Sequence, residues 1–179
     1  MYKGDNPTAI KSMKWFSQAL IKLMIEMPYK DIAIRMLCTE AGLARQTFYN
    51  LFEDKNEVLQ YYLESTAMEQ FDFFEIKENL EIRDFVETFA EYISNNDRLM
   101  KLISENHLEA ILQMSISNSI NIIATKYSQN KRYRYGTAFL SGGLTQIIIC
   151  WIYEEDRITV RELMDTIDQI MSGNYYKLR

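Results

Sequence analysis

The chain has 179 residues, 47% hydrophobic and 25% charged, a composition that can build a core and excludes a disordered chain. Its 2 prolines and 6 glycines are too few for many short strands, so long helices are expected. The formal net charge of −5 argues against a nucleic-acid binder only on average, because residues 1–52 carry 7 Lys/Arg against 4 Asp/Glu while the rest carries 13 against 21; the first segment can face phosphates while the remainder stays acidic.

In chain order, Asn6-Pro7 reads as a helix start, with Asn as N-cap and Pro at the first helical position. Met13, Phe16, Leu20, Leu23, Met24 and Met27 then recur at helical spacing, until Pro28 stops the run. Ile34, Leu37, Cys38 and Ala41 form a second helix of about two turns, which Gly42 ends as a left-handed cap. A short third helix covers Ala44 to about Asn50. Asp54-Lys55-Asn56-Glu57 reads as a capping box opening a fourth, with Asp54 as cap and Glu57 reaching back, and this helix runs to about Phe71. Residues 75–82 read as a connection. Further helices are expected at about Asp84–Asn95, Arg98–Ser104, Leu108–Tyr127, Tyr133–Tyr153 and Val160–Met171, with a break at Gln129-Asn130-Lys131. The expected class is all-α, with about nine helices.

Two short helices joined by a glycine turn and propped by a preceding helix make a helix-turn-helix. Cys38 and Ala41 are small where the second helix crosses the first. Leu43, Phe48 and Phe52 are placed to face inward, which leaves Arg45, Gln46 and Asn50 for a groove.

Residues 31–59, DIAIRMLCTEAGLARQTFYNLFEDKNEVL, resemble the DNA-binding signature of TetR/AcrR transcriptional regulators. The shared skeleton is Leu37, Ala41-Gly42, Arg45, Thr47-Phe48-Tyr49, Phe52, Lys55 and Leu59. The resemblance implies a DNA-binding domain over 1–60 and a regulatory and dimerisation domain over 61–179. It implies DNA contacts from Ala33, Arg35, Ala44, Arg45, Gln46, Thr47, Tyr49, Asn50 and Lys55. Arg45 and Gln46 would reach base edges, and Thr47, Tyr49 and Lys55 phosphates. Ala44 stands where the family usually has a Ser or Thr cap, a loss of about 1 kcal/mol. Ala33 replaces a frequent Thr, and Asp31 is the alternative cap for that helix.

Phe139 to Met171 resembles the last two helices of one branch of the family, the regulators of dihydroxyacetone utilisation, on Gly142-Gly143, Trp151, Glu154-Glu155 and Leu163. Two adjacent glycines inside a helix cost about 1 kcal/mol each against Ala, and close approach of another helix would explain them. Phe139, Gly142, Gly143, Gln146, Cys150, Leu163, Ile167 and Ile170 are therefore expected at a two-fold homodimer interface. Phe89, Tyr92, His107, Met114, Tyr127 and Trp151 are candidates to line a pocket for a small apolar or aromatic effector, although such stripes more often form core and His107, the one histidine, is more simply read as a capped or surface residue.

Cys38 and Cys150 suggest buried reduced thiols in a cytoplasmic protein, with no metal site. Gly136 to Tyr153 is uncharged, but polar residues interrupt it, so a buried helix is expected rather than a membrane span. No phosphate loop, nucleophile elbow or His/Cys/Asp cluster marks an enzyme, and no cofactor is expected. Two functions compete: a regulator, read as a repressor, that occupies a palindromic operator and answers to an effector; or one controlled by a protein partner, with no small-molecule cavity.

Overall fold

The computed structural model describes residues 1–71, 88, 91–127 and 133–174. Among them all regular structure is helical. In chain order these are α1 (Pro7–Glu26), a 3-10 turn (Tyr29–Asp31), α2 (Ile34–Ala41), α3 (Arg45–Leu51), α4 (Lys55–Phe71), α5 (helical over 91–95), α6 (Asp97–Glu105), α7 (Glu109–Tyr127), α8 (Tyr133–Tyr153) and α9 (Val160–Met171). The all-α expectation holds. The expected connection at 75–82, the break at 129–131 and most of the expected helix over 84–95 lie outside the described residues.

Local chemistry sets the helix ends. The Asn6 side chain accepts from the Thr8 N–H at 2.9 Å, with Pro7 in the first turn. Asp54 Oδ1 accepts from the Asn56 and Glu57 N–H groups at 2.8 and 3.0 Å. Glu57 reaches back one residue further than expected, to the Glu53 N–H at 2.8 Å. Thr159 and Glu162 cap α9 reciprocally. Asp31 does not cap α2: Ala33 occupies the cap position, and no side chain accepts there.

Three helices end alike. The N–H of Leu43 closes on the Cys38 carbonyl after α2, that of Leu108 on Ile103 after α6, and that of Asn174 on Gln169 after α9. Each turn has a left-handed residue, at Gly42, His107 and Gly173, with φ of 66°, 56° and 71°. Glycine takes this conformation freely, whereas an L side chain is strained there. His107 is exposed, so His107→Gly is expected to stabilise the protein by about 1 kcal/mol. Thermal unfolding checks this: the midpoint should rise by about 2–4 °C, and a fall would mean that the imidazole contributes a contact of its own.

α1 packs on α2, α3 and α4; α4 runs through the expected domain boundary at residue 60 and packs on α7; α7 packs on α8. α6 touches α1, α7 and α8. The N-terminal core is Met13, Phe16, Leu20, Leu37, Phe48, Phe52, Val58 and Leu59. α8 is the one helix among the described residues long and apolar enough to cross a membrane by length and composition. One side of it, carrying Leu144, Thr145, Ile148, Trp151 and Ile152, is buried in the subunit.

Candidate nucleic-acid interface

The α2–turn–α3 block stands on an aromatic base. Phe16 of α1 meets Phe48 of α3 edge-on at 5.3 Å between centroids and Phe52 at 6.2 Å; Phe48 and Phe52 lie 5.8 Å apart. Such pairs add about 0.5–1.5 kcal/mol to the burial of their area and restrict orientation. Phe48 and Leu51 use up the inner side of a seven-residue helix. The other side is solvent-facing: Ala44, Arg45, Gln46, Tyr49 and Asn50 are exposed, Tyr49 at 61%, and Thr47 is half-buried. Ala33 and Arg35 at the start of α2 are exposed as well. Neither Ala33 nor Ala44 supplies a capping side chain, so the first turns of both helices keep amide donors that a phosphate can take.

Lys55 is differently engaged. Its ammonium donates to the carbonyls of Tyr29, Lys30 and Ile32 at 2.6, 3.2 and 2.9 Å and lies 4.4 Å above the Tyr29 ring. All three donors are spent on the 3-10 turn, so a phosphate contact would have to displace them. Burial pulls its pKa below the ordinary lysine range, against Asp31 and Asp54. Tyr29 is itself buried, and its hydroxyl donates to Asn56 Oδ1 at 2.7 Å. Burial, then the Asp54 charge, raises its pKa. Tyr29 and Asn56 carried no expected role, and their contact spans 27 residues of sequence.

The expected interface residues separate. Phe139 is 68% exposed, with Gly143, Gln146 and Cys150 also on the open side of α8 and Gly142 half-buried. Tyr135 and Tyr153 extend the same stripe. A Cβ on Gly143 would meet nothing within 4 Å, and one on Gly142 only the Gln113 side chain at 3.6 Å, so no helix of the same subunit requires these glycines. Two expectations are corrected. Leu163 and Ile167 turn into the subunit's own core, leaving Ile170 half-buried on α9. Cys150 is exposed where a buried thiol was expected, whereas Cys38 is buried.

The pocket candidates do not converge either. Tyr92 lines a small cavity of about 30 Å³ with Leu63, Met100, Leu112, Ser115 and Ile148. Its hydroxyl lies 2.8 Å from Thr66 Oγ1, and burial pushes its pKa up to about 12 against that hydrogen bond. His107 and Met114 instead border an outer cleft with Glu53, Glu57, Gln60 and Ile111. Trp151 is buried away from the cavity and donates to the Ile158 carbonyl at 2.8 Å. Phe89 and the Tyr127 side chain lie outside the described residues.

No family model matches the chain, and no curated protein does. Solved structures do. Lin0861 from Listeria innocua aligns over 97% of this chain and 96% of its own, with a TM-score of 0.78 at 16% identity. A putative TetR-family transcriptional regulator from Syntrophomonas wolfei str. Goettingen aligns over 94% and 97%, with a TM-score of 0.56 at 19% identity. A TetR transcriptional regulator from Streptococcus agalactiae 2603V aligns over 93% and 95%, with a TM-score of 0.59 at 14% identity.

Proposed function

We propose that this chain, which has the fold of TetR-family transcriptional regulators, is one subunit of a homodimeric DNA-binding repressor that works in the cytoplasm on a palindromic operator. Residues 1–60 would be its DNA-binding domain and 61–179 its regulatory and dimerisation domain. One observation supports this above the rest: Arg45, Gln46, Tyr49 and Asn50 stand exposed on a helix whose back is fixed by Phe16, Phe48 and Phe52. A polar outer face on an immobile helix is what reading base edges in a major groove needs. Arg45 and Gln46 would take base edges, and Thr47, Tyr49, Arg35 and the open first turns at Ala33 and Ala44 would take phosphates. The exposed stripe of α8, from Tyr135 through Phe139 and Gly143 to Tyr153, would meet its symmetry mate.

Selection of duplex fragments from genomic DNA tests the reading. The parent should enrich an inverted repeat. Arg45→Ala should cost about 1–3 kcal/mol on the best fragment and flatten the preference at one base pair in each half-site. A variant with unchanged sequence preference would remove Arg45 from the reading surface.

The cavity favours a second reading of control. About 30 Å³ holds a water or two and lies an order of magnitude below the ~300–1,000 Å³ of ligand sites. A small apolar effector would have to open the space beside Tyr92. A protein partner would need no cavity and would find exposed apolar residues at Met114 and Ile122 of α7.

A further inference from the structure

The turn that precedes α2 is held from both halves of the chain. Lys55 and Asn56 of α4 take the Tyr29 carbonyl and hydroxyl. The Tyr29 N–H has a more distant partner, Asn106 Oδ1 at 2.8 Å, 77 residues along the sequence. Asn106 closes α6. Its Nδ2 donates to the Leu102 carbonyl of the same helix at 2.8 Å, so its oxygen is the atom left for the turn. The backbone beside it is fixed by the left-handed His107 and by the bond from Leu108 N–H to Ile103 O at 2.9 Å.

The other end of α6 is tied as well. Asp97, in its first turn, accepts from Arg157 Nη1 at 2.5 Å and pairs with Lys101 at 3.2 Å. Arg157 belongs to the turn between α8 and α9, and its guanidinium lies 4.7 Å over the Trp151 ring. α6 is nine residues long, about 13 Å, and it touches α1 on one side and α8 on another. A short rod held by side chains at both ends does not pivot freely.

We propose that Asn106 is a positioning residue for DNA binding: its side-chain oxygen, carried by α6, sets the 29–32 turn and through it the entry into α2. The inference rests on reading the α2–α3 block as the DNA-contacting surface. The turn leads through Ile32 directly to Ala33, the cap of α2.

Amide exchange on the full-length free protein tests the joint, with Asn106→Ala and Asn106→Asp compared. Without an acceptor, the Tyr29 amide should exchange about tenfold faster. Val58 and Leu59, core positions of α4, should stay within twofold. Asn106→Asp keeps an oxygen for the Tyr29 N–H and should restore most of its protection, even though the bond to Leu102 is lost. On duplex fragments selected by the parent, Asn106→Ala should bind about five- to tenfold more weakly and Asn106→Asp within about threefold.

Unchanged Tyr29 exchange in Asn106→Ala, unchanged affinity, or faster exchange spread evenly over all helices would each overturn the proposal. The last outcome would give Asn106 a general structural role only. A parent protein that binds no duplex at all contradicts the regulatory reading instead, and the exchange comparison then decides the Asn106–Tyr29 joint by itself.

Discussion

The Gly143→Arg variant is expected to be monomeric at micromolar concentration and to lose at least a hundredfold in affinity for the selected fragments. Gly143 lies exposed on α8, and a side chain there meets nothing within 4 Å, so the subunit should fold around the change. At a two-fold interface the same substitution enters twice, on one self-complementary patch. Two guanidinium groups without partners, taken from water into an apolar seam beside Phe139, cost several kcal/mol. The DNA effect follows from multivalency: two linked reading heads gain about 10²–10⁴ over one. Sedimentation equilibrium reads the assembly and fluorescence anisotropy the binding. A Gly143→Arg protein that sediments as a dimer would move the interface off α8. A Gly143→Ala control should keep the dimer if the partner helix leaves room for a methyl group, and weaken it if the helices touch at that point.

Phe48→Ala carries the other large effect, a loss of about 3–5 kcal/mol. Phe48 is fully buried and meets both Phe16 and Phe52. α3 has only seven residues and one other buried anchor, Leu51, too short to persist on propensity alone. Removing the ring leaves a cavity under the one helix that has to stay rigid. Thermal unfolding should begin about 10 °C lower, and amides of α3 should lose protection before those of α7 and α8. DNA binding should vanish with the order of α3, although no DNA-facing residue has been touched. Phe48→Leu, which keeps much of the volume, should lose far less. If Phe48→Ala unfolds like the parent, the aromatic base is not what holds the reading helix.

The parts of the fold written in local chemistry were legible. Asn6-Pro7, Gly42 and Asp54 mark helix ends through bonds that span two to five residues, and the helices at Tyr133–Tyr153 and Val160–Met171 lie where apolar spacing places them, although the Thr159–Glu162 cap of the last was not among the expected ones. The inward and outward sides of α3 followed from the same periodicity. Spacing does not say which neighbour covers a stripe. Leu163 and Ile167 repeat as an interface residue would, yet the cover comes from their own subunit. Met114 belongs to a pattern that suggested an interior and faces outward, whereas His107 lies at the surface, the plainer expectation for a lone histidine.

The bonds across the long range were the hidden part. Nothing near Lys55 in sequence marks three carbonyls of the 29–32 turn as its partners, and nothing near Asn106 points to Tyr29. His107 shows the limit from another side, since a left-handed cap is read from glycine and this one has an imidazole.

DNA binding of this kind requires two copies of α3 presented together at the spacing of successive major grooves. Spin labels report it directly: Glu53→Cys, exposed two residues past α3 and outside the proposed DNA contacts, in a Cys150→Ser background that leaves only the buried Cys38, measured by pulsed dipolar spectroscopy on the complex with a selected duplex. The account predicts one narrow distance distribution, consistent with recognition helices about 34–36 Å apart. No dipolar coupling between labels, or labels facing opposite ends of the particle, would contradict it.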